Sequence, residues 1–474
     1  MLKPSLIFFI LPIFGCCQTI PKVLVMAFDG MRWDYITPEM TPFIWSIAQK
    51  GVFAVQGITN QMFTVTAPNF YSISTGLHEE NHGIVGNTFY DPHFNDYFDY
   101  WNFSGNSTLA RGSRDGRWYS GEPIWQTNEN AGGGRRSGAM RWPACDASIN
   151  NISMTNCMPF DGYLPFVEWQ LEIDQLVTWF TQPNNPINLG LYYNPQPDHM
   201  EHGGDIYRTD VTDTIRDLDL LTSYMFDQLK AKNLSDSINI ILTADHGHAN
   251  VNRAYNMLTI DDIFGNIDDV IVSQLSFFPR TDRNVTTDMI YQRALSYRDK
   301  NPKFDVYLKS EIPDDWHYRD NDRIGDVVLI EKLGYKITTN ASLHSYTHAV
   351  FGQHGYSKFY PEMRPFFVAT GPAFKSNFTV ATPDLIDSVD LYPLMAHLLN
   401  ISAPKVDGQL CRIDFILRQS ACAEPTKTPD PTGPTGSPSP TGSPSPTNSP
   451  GSSALHLSNV VVAVSLLLVH FILQ

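Results

Sequence analysis

Three near-continuous apolar runs, each leading into an aspartate, constrain this chain more than any other feature. KVLVMAF ends at Asp29 in AFDG, INLGLYY leads through NPQP to Asp198, and INIILTA ends at Asp245-His246 in ADHGH. Apolar runs without polar alternation are what strands adopt when both faces of a parallel sheet are covered. FFVAT has the same character. Helical patterns are expected around 41–50, 68–75, 166–180, 209–232, 288–298 and 384–399, so the alternation predicts an α/β sandwich. In such sheets ligands gather beyond the carboxyl ends of the strands, and three acidic exits point at one crevice. One strand-end Asp alone reads more readily as a turn former or helix cap.

A second stretch, TVTAPNFYSISTG from Thr64 to Gly76, has the grammar of a nucleophile turn. Pro68 suits a first helical turn, and Phe70, Tyr71 and Ile73 can pack as a helix behind it. That sets the Thr66 hydroxyl at a helix N-terminus, where unpaired N–H groups and the helix dipole favour an anionic oxygen with a phosphate beside it. The plainer reading is an ordinary Thr cap.

The acidic exits carry histidines. Asp198 and His202 are four apart, so one helical turn puts both on one face, while His199 and Glu201 fall on others. Asp245-His246-Gly247 offers two donor types in a tight turn, and FGQHGY sets His354 between small residues. Carboxylate and imidazole without thiolate suit Zn²⁺ or a similar transition metal.

Composition narrows the partners. A formal charge of −16 argues against a nucleic-acid-coating surface. Residues 1–17 look like a secretory signal peptide: Lys3, then an apolar run from Leu6 to Phe14 too short to span a bilayer. Eight N-x-Ser/Thr sequons, at Asn102, Asn106, Asn151, Asn233, Asn284, Asn340, Asn377 and Asn400, fit a glycosylated surface. Four cysteines remain after cleavage, and their spacing suggests Cys145–Cys157 and Cys411–Cys422 disulfides, with other pairings open. Residues 18–423 are then expected to form the folded domain, and 424–453 a Pro/Ser/Thr-rich stalk. Residues 454–474 read as a hydrophobic anchor signal of the GPI type, with a single transmembrane helix as the alternative. The expected location is the extracellular face of the plasma membrane.

In order, the chain holds AFDG; T-x-P-N-x-Y-S-I-x-T-G-L-x-x-x-x-H-G-I-x-x-N-x-x-Y-D-P at Thr66–Pro92; GEPIW; PD-x-x-x-H; ADHG; and HGY. This order resembles the ectonucleotide pyrophosphatase/phosphodiesterase family of the alkaline-phosphatase superfamily, in its short form with one catalytic domain. The resemblance implies a mixed, mostly parallel central sheet with helices on both faces. It also implies two zinc ions, one on Asp198, His202 and His354, the other on Asp29, Thr66, Asp245 and His246. Thr66 is then the nucleophile and Asn87 the residue that binds the phosphoryl oxygen. The implied activity is hydrolysis of phosphodiester or pyrophosphate bonds through a phosphothreonine.

Ala67 departs from the pattern of the nucleotide-cleaving members, which carry an aromatic residue there that helps sandwich the base. Loss of one stacking face removes about 1–3 kcal/mol by analogy with single-strand binding. A choline-containing phospholipid head group is therefore the alternative substrate, and a non-catalytic adhesion ectodomain the alternative of another kind. GGGRR lacks the Lys-Ser/Thr end of a phosphate loop and reads as a surface loop. Trp125, Trp142 and Tyr163 are candidates for pocket lining or for core.

Overall fold

The computed structural model describes residues 20–102, 110–382 and 386–422. The expected secretion signal, stalk and anchor, and the sequon at Asn106, lie outside them. Among the described residues no helix is long and apolar enough to cross a membrane.

The runs form the strands expected of them. The main sheet contains β1 (Lys22–Phe28), β2 (Val52–Ala54), β3 (Ser137–Met140), β4 (Asn156–Met158), β5 (Leu189–Asn194), β6 (Ile238–Thr243), β7 (Phe367–Thr370) and β8 (Phe378–Val380). Their spatial order is β8-β2-β7-β6-β1-β5-β3-β4. β1 lies between β5 and β6, parallel to both, and β3 and β4 continue the parallel side. β7, the FFVAT run, is antiparallel to β6 and β2. Burial on both faces sets the composition of a strand and leaves its direction open.

Alternate residues of β1 serve two cores. Val23, Val25 and Ala27 join one; Leu24, Met26 and Phe28 join the other. The helices are α1 (Pro42–Lys50), α2 (Thr66–Thr75), α3 (Phe166–Thr181), α4 (Asp198–His202), α5 (Thr209–Ala231), α6 (Thr287–Lys300) and α7 (Leu391–Leu398). α1, α3 and α5 cover one face; α2 and α7 cover the other. α5 buries Val211, Ile215, Leu218, Thr222, Met225 and Leu229, the 3–4 spacing of an amphipathic stripe. Its Asp219 accepts from the free N–H groups of Phe43 and Ile44 at 3.0 and 2.7 Å, which fixes α1 against it.

The helix expected over 384–399 is shorter. Asp387 caps a 3-10 turn at Ser388–Asp390, and α7 begins only at Leu391. Short polar side chains divert the backbone into turns this way.

A four-stranded antiparallel sheet (Val270–Ser273, Ser276–Pro279, Val327–Glu331 and Phe304–Leu308) carries α6. Separately, Ala249–Asn252 and Val350–Gln353 form an antiparallel ribbon. Both suggested disulfides, Cys145–Cys157 and Cys411–Cys422, are present. Gly132, Gly133 and Gly134 make a turn at positive φ on the way into β3, in keeping with a surface loop. Trp125 and Trp142 are core residues. The Phe70 ring meets those of Trp142 and Tyr193 edge-on at 5.1 and 5.0 Å, contacts of about 0.5–1.5 kcal/mol each beyond their buried area. The sequon residues Asn151, Asn233, Asn284, Asn340, Asn377 and Asn400 are all exposed, so glycans there meet no packed neighbour.

Candidate active site

The three acidic exits meet. β1 and β5 end side by side, so the Asp29 N–H donates to Asn194 O at 2.9 Å and the Asp198 N–H donates to Asp29 O at 3.1 Å. Past β1 the chain turns at Gly30, with φ +72°, whose N–H donates to Asp245 Oδ1 at 3.1 Å. A Cβ there would stand 2.6 Å from His248 Cε1, so the turn requires glycine. α4 presents Asp198 and His202 on one face, with Oδ1 and Nε2 3.2 Å apart.

His354 arrives by strand register. The ribbon pairs Ala249 with Gln353, so the residues one step further along each strand, His248 and His354, face each other at its end. The His354 ring stacks on His246 at 3.7 Å, and its Nδ1 lies 2.8 Å from Thr64 O.

Thr66 opens α2, whose ten residues are all buried. Its Oγ1 lies 3.4 Å from His246 Nε2. Asn69 braces the approach: its Oδ1 accepts from Gln61 N at 2.8 Å, and its amide donates to Val65 O at 2.9 Å. The free Ala67 N–H donates to Asn87 Oδ1 at 2.8 Å. This fixes the amide's oxygen end and leaves its NH₂ to donate. From the antiparallel sheet, Gln274 Oε1 accepts from Asn87 N at 3.1 Å and holds the backbone.

The electrostatics suit a cation. Asp29, Asp198 and Asp245 are buried together, and Asp29 Oδ1, Asp198 Oδ1 and Asp245 Oδ2 have no hydrogen-bond partner. Burial, then Asp245 and Asp198, push Asp29 well above the carboxylate range, although Tyr193 donates to its Oδ2 at 2.6 Å. Burial likewise lifts Asp245 to about 7 against the Gly30 N–H. Burial also opposes ionised Asp198, but the facing histidines outweigh it and hold Asp198 well below its usual value. His246 is pushed down to about 3 by burial, and His354 is lowered by burial and then by His246. Neutral imidazoles and orphaned carboxylate oxygens are what a divalent cation takes. Two donor groups converge, Asp198 with His202, His248 and His354, and Asp29 with Asp198 and His246. Beside the second, Asp245 Oδ2 lies 3.1 Å from His246 Nε2.

The model of the type I phosphodiesterase / nucleotide pyrophosphatase family matches residues 23–357. The chain belongs to that family. Bis(5'-adenosyl)-triphosphatase enpp4 of Xenopus laevis is 32% identical over 417 residues, 85% of this chain and 83% of that one. Ectonucleotide pyrophosphatase/phosphodiesterase family member 5 of Homo sapiens is 33% identical over 401 residues, 84% and 78% of the two chains. The solved human member 5 superposes with a TM-score of 0.73 at 32% identity, covering 84% of this chain and all of that one. The murine member 5, solved as an inactive threonine-to-alanine variant in complex with AMP, fits with the same TM-score, identity and 84% coverage. As a phosphodiesterase/pyrophosphatase relative with this buried Asp/His centre, the protein is a hydrolase.

The fold therefore draws together Asp29, Thr66, Asn87, Asp198, His202, Asp245, His246 and His354. His199 turns away and stacks on Tyr163 at 3.5 Å. Tyr163 is 47% exposed, unlike the two tryptophans, and so presents a ring surface near Asp198. Sequence reasoning passed over Tyr35, Tyr193, Asn69, Gln274 and His248. His248 had a signal, since it stands two residues beyond His246 in ADHGH.

Proposed function

We propose that this hydrolase cleaves nucleotide phosphodiester or pyrophosphate bonds through a phosphothreonine at Thr66. Two zinc ions serve it, one on Asp198, His202 and His354, the other on Asp29, Thr66, Asp245 and His246. The observation that carries this reading is the Thr66 hydroxyl at the head of α2, 3.4 Å from His246 Nε2 and beside carboxylate oxygens that lack partners. Bound ions supply a lower pKa for that hydroxyl and neutralise charge on the phosphoryl oxygens.

The chain's own groups do the rest. Thr66 Oγ1 bonds to phosphorus as the bond to the leaving oxygen breaks, and water then hydrolyses the threonine ester and restores the hydroxyl. The Asn87 NH₂, oriented through Ala67 N–H, donates to a phosphoryl oxygen as its charge develops. Asn87→Ala is expected to lower kcat/KM by about 10²–10³-fold, as loss of one such donor does, with metal content unchanged. Steady-state kinetics with metal analysis checks this.

For the substrate, the exposed Tyr163 ring stacked on His199 is a planar platform beside Asp198 and favours a planar base, although Ala67 offers little on the other side. The relatives named bis(5'-adenosyl)-triphosphatase and the AMP complex support a nucleotide. The test is hydrolysis of p-nitrophenyl-TMP, ATP, a diadenosine polyphosphate and p-nitrophenylphosphorylcholine, with and without chelator. Chelator-sensitive release of a nucleoside monophosphate supports the reading. Release of phosphorylcholine alone overturns the substrate and keeps the mechanism.

The protein works outside the cell, held at the surface by its C-terminal anchor. Two disulfides and six exposed sequon asparagines support an extracellular setting. Release from cells by a glycolipid-cleaving phospholipase is expected; retention points to a spanning helix.

A further inference from the structure

We propose that His248 is a fourth protein ligand of the cation held by Asp198, His202 and His354. The inference rests on the two-cation reading above and concerns a residue that reading leaves out.

Three imidazole Nε2 atoms converge on a single carboxylate oxygen. His202, His248 and His354 present theirs to Asp198 Oδ1 at 3.2, 3.1 and 3.3 Å. Each ring turns its other nitrogen outward to an acceptor. His202 Nδ1 lies 3.1 Å from Gly352 O, His354 Nδ1 lies 2.8 Å from Thr64 O, and His248 Nδ1 lies 2.7 Å from Glu201 Oε2. One nitrogen facing the ion and the other held by a carbonyl or carboxylate is the arrangement of metal-bound histidine. Of the three, His248 has the carboxylate partner. Glu201 is itself fixed, because the Tyr35 hydroxyl donates to its Oε1 at 2.5 Å.

Without an ion, His248 bridges two carboxylates, Asp198 and Glu201, and a cation on Nε2 would take over the Asp198 side of that bridge. The ring is fully buried, and its contacts with Glu201 Oε2 at 2.7 Å and Asp198 Oδ1 at 3.1 Å are close but poorly aligned as hydrogen bonds. That state is costly for a buried imidazole. A cation on Nε2 relieves it and leaves Nδ1–H for Glu201. The surroundings hold the ring in place: Gly30 is close enough to exclude any side chain, and Arg32 donates to the His248 carbonyl at 2.9 Å. One carboxylate oxygen and three imidazole nitrogens would then hold this ion.

Cobalt(II) tests this without reference to turnover. The wild-type protein, stripped and reloaded, is expected to bind two equivalents with ligand-field absorption. In His248→Met the absorption of one equivalent shifts, and its affinity against a chelating dye falls at least about 10-fold, while the other equivalent is unaltered. Glu201→Gln, which keeps the imidazole, lowers the affinity and leaves the spectrum close to wild type. A wild-type spectrum for both equivalents in His248→Met overturns the proposal, even if affinity falls, because a purely positioning role predicts that result. Wild-type protein that takes up no cobalt overturns the two-cation reading itself, and this proposal with it. If the variants do not fold, the cadmium-113-loaded wild type decides. Scalar coupling from the metal to the His248 ring protons supports ligation; coupling at His202 and His354 without it at His248 overturns it.

Discussion

Thr66→Ala is expected to abolish turnover while leaving the fold intact. The residue opens α2 with its Oγ1 near His246 Nε2, and no other side chain in the site offers a hydroxyl at a helix N-terminus. Loss of a nucleophile in a cooperating set costs at least about 10⁴-fold in kcat. The structural cost is small, because Oγ1 has a single long contact and a typical hydrogen bond is worth about 1 kcal/mol. Thermal unfolding within a few degrees of wild type, with kcat at background, is the predicted pair of results. Rapid quenching with a phosphorus-labelled substrate should also trap protein-bound label in the wild type and none in the variant. Near-normal rates in Thr66→Ala would falsify the covalent mechanism.

Removing the metal has the second large effect, and it acts on stability as well as rate. Asp29 and Asp245 are left buried without a compensating charge, and an ion held at about 1,000 times its Kd contributes about 4 kcal/mol. A chelator is expected to bring activity to background and lower Tm by several degrees, and zinc to restore both. The pH dependence follows from Asp29, pushed well above its ordinary range, and Asp245, lifted to about 7, both chiefly by burial. Their ion-free folded pKa values exceed the unfolded ones, so the ion-free fold loses stability as pH rises through the raised values and regains it below them. Asp198 stays ionised and adds nothing in that window. The chelator-induced drop in Tm should therefore be larger at pH 8 than at pH 6. Equal Tm with and without chelator at pH 8 would overturn the cation requirement. Scanning calorimetry at both pH values measures it.

Much of this was legible before folding because doubly buried strands leave a strong local signal. The run read as KVLVMAF is β1, residue for residue, and the Asp at each exit lies where the strand-end rule puts it. The i, i+4 spacing of Asp198 and His202 likewise survived as one helix face. What was illegible depends on distant partners. The reversed direction of β7 is set by its pairing with β6 and β2, not by its composition. The roles of Asn69, Gln274 and Tyr193 are hydrogen bonds between segments far apart in the chain. His248 was overlooked for a different reason: a second histidine in ADHGH reads as one more polar turn residue until Asp198 and Glu201 are seen on either side of it.

The ribbon of Ala249–Asn252 and Val350–Gln353 has a consequence for the order in which the protein matures. It delivers His354 to a cluster that begins at Asp29, so the site closes only after the long stretch of chain between them has been synthesised and paired. Contacts of such long sequence separation form late. A cation taken up there would then fasten a finished scaffold and not seed its folding, so its uptake would report that the segments from Asp29 to His354 have paired.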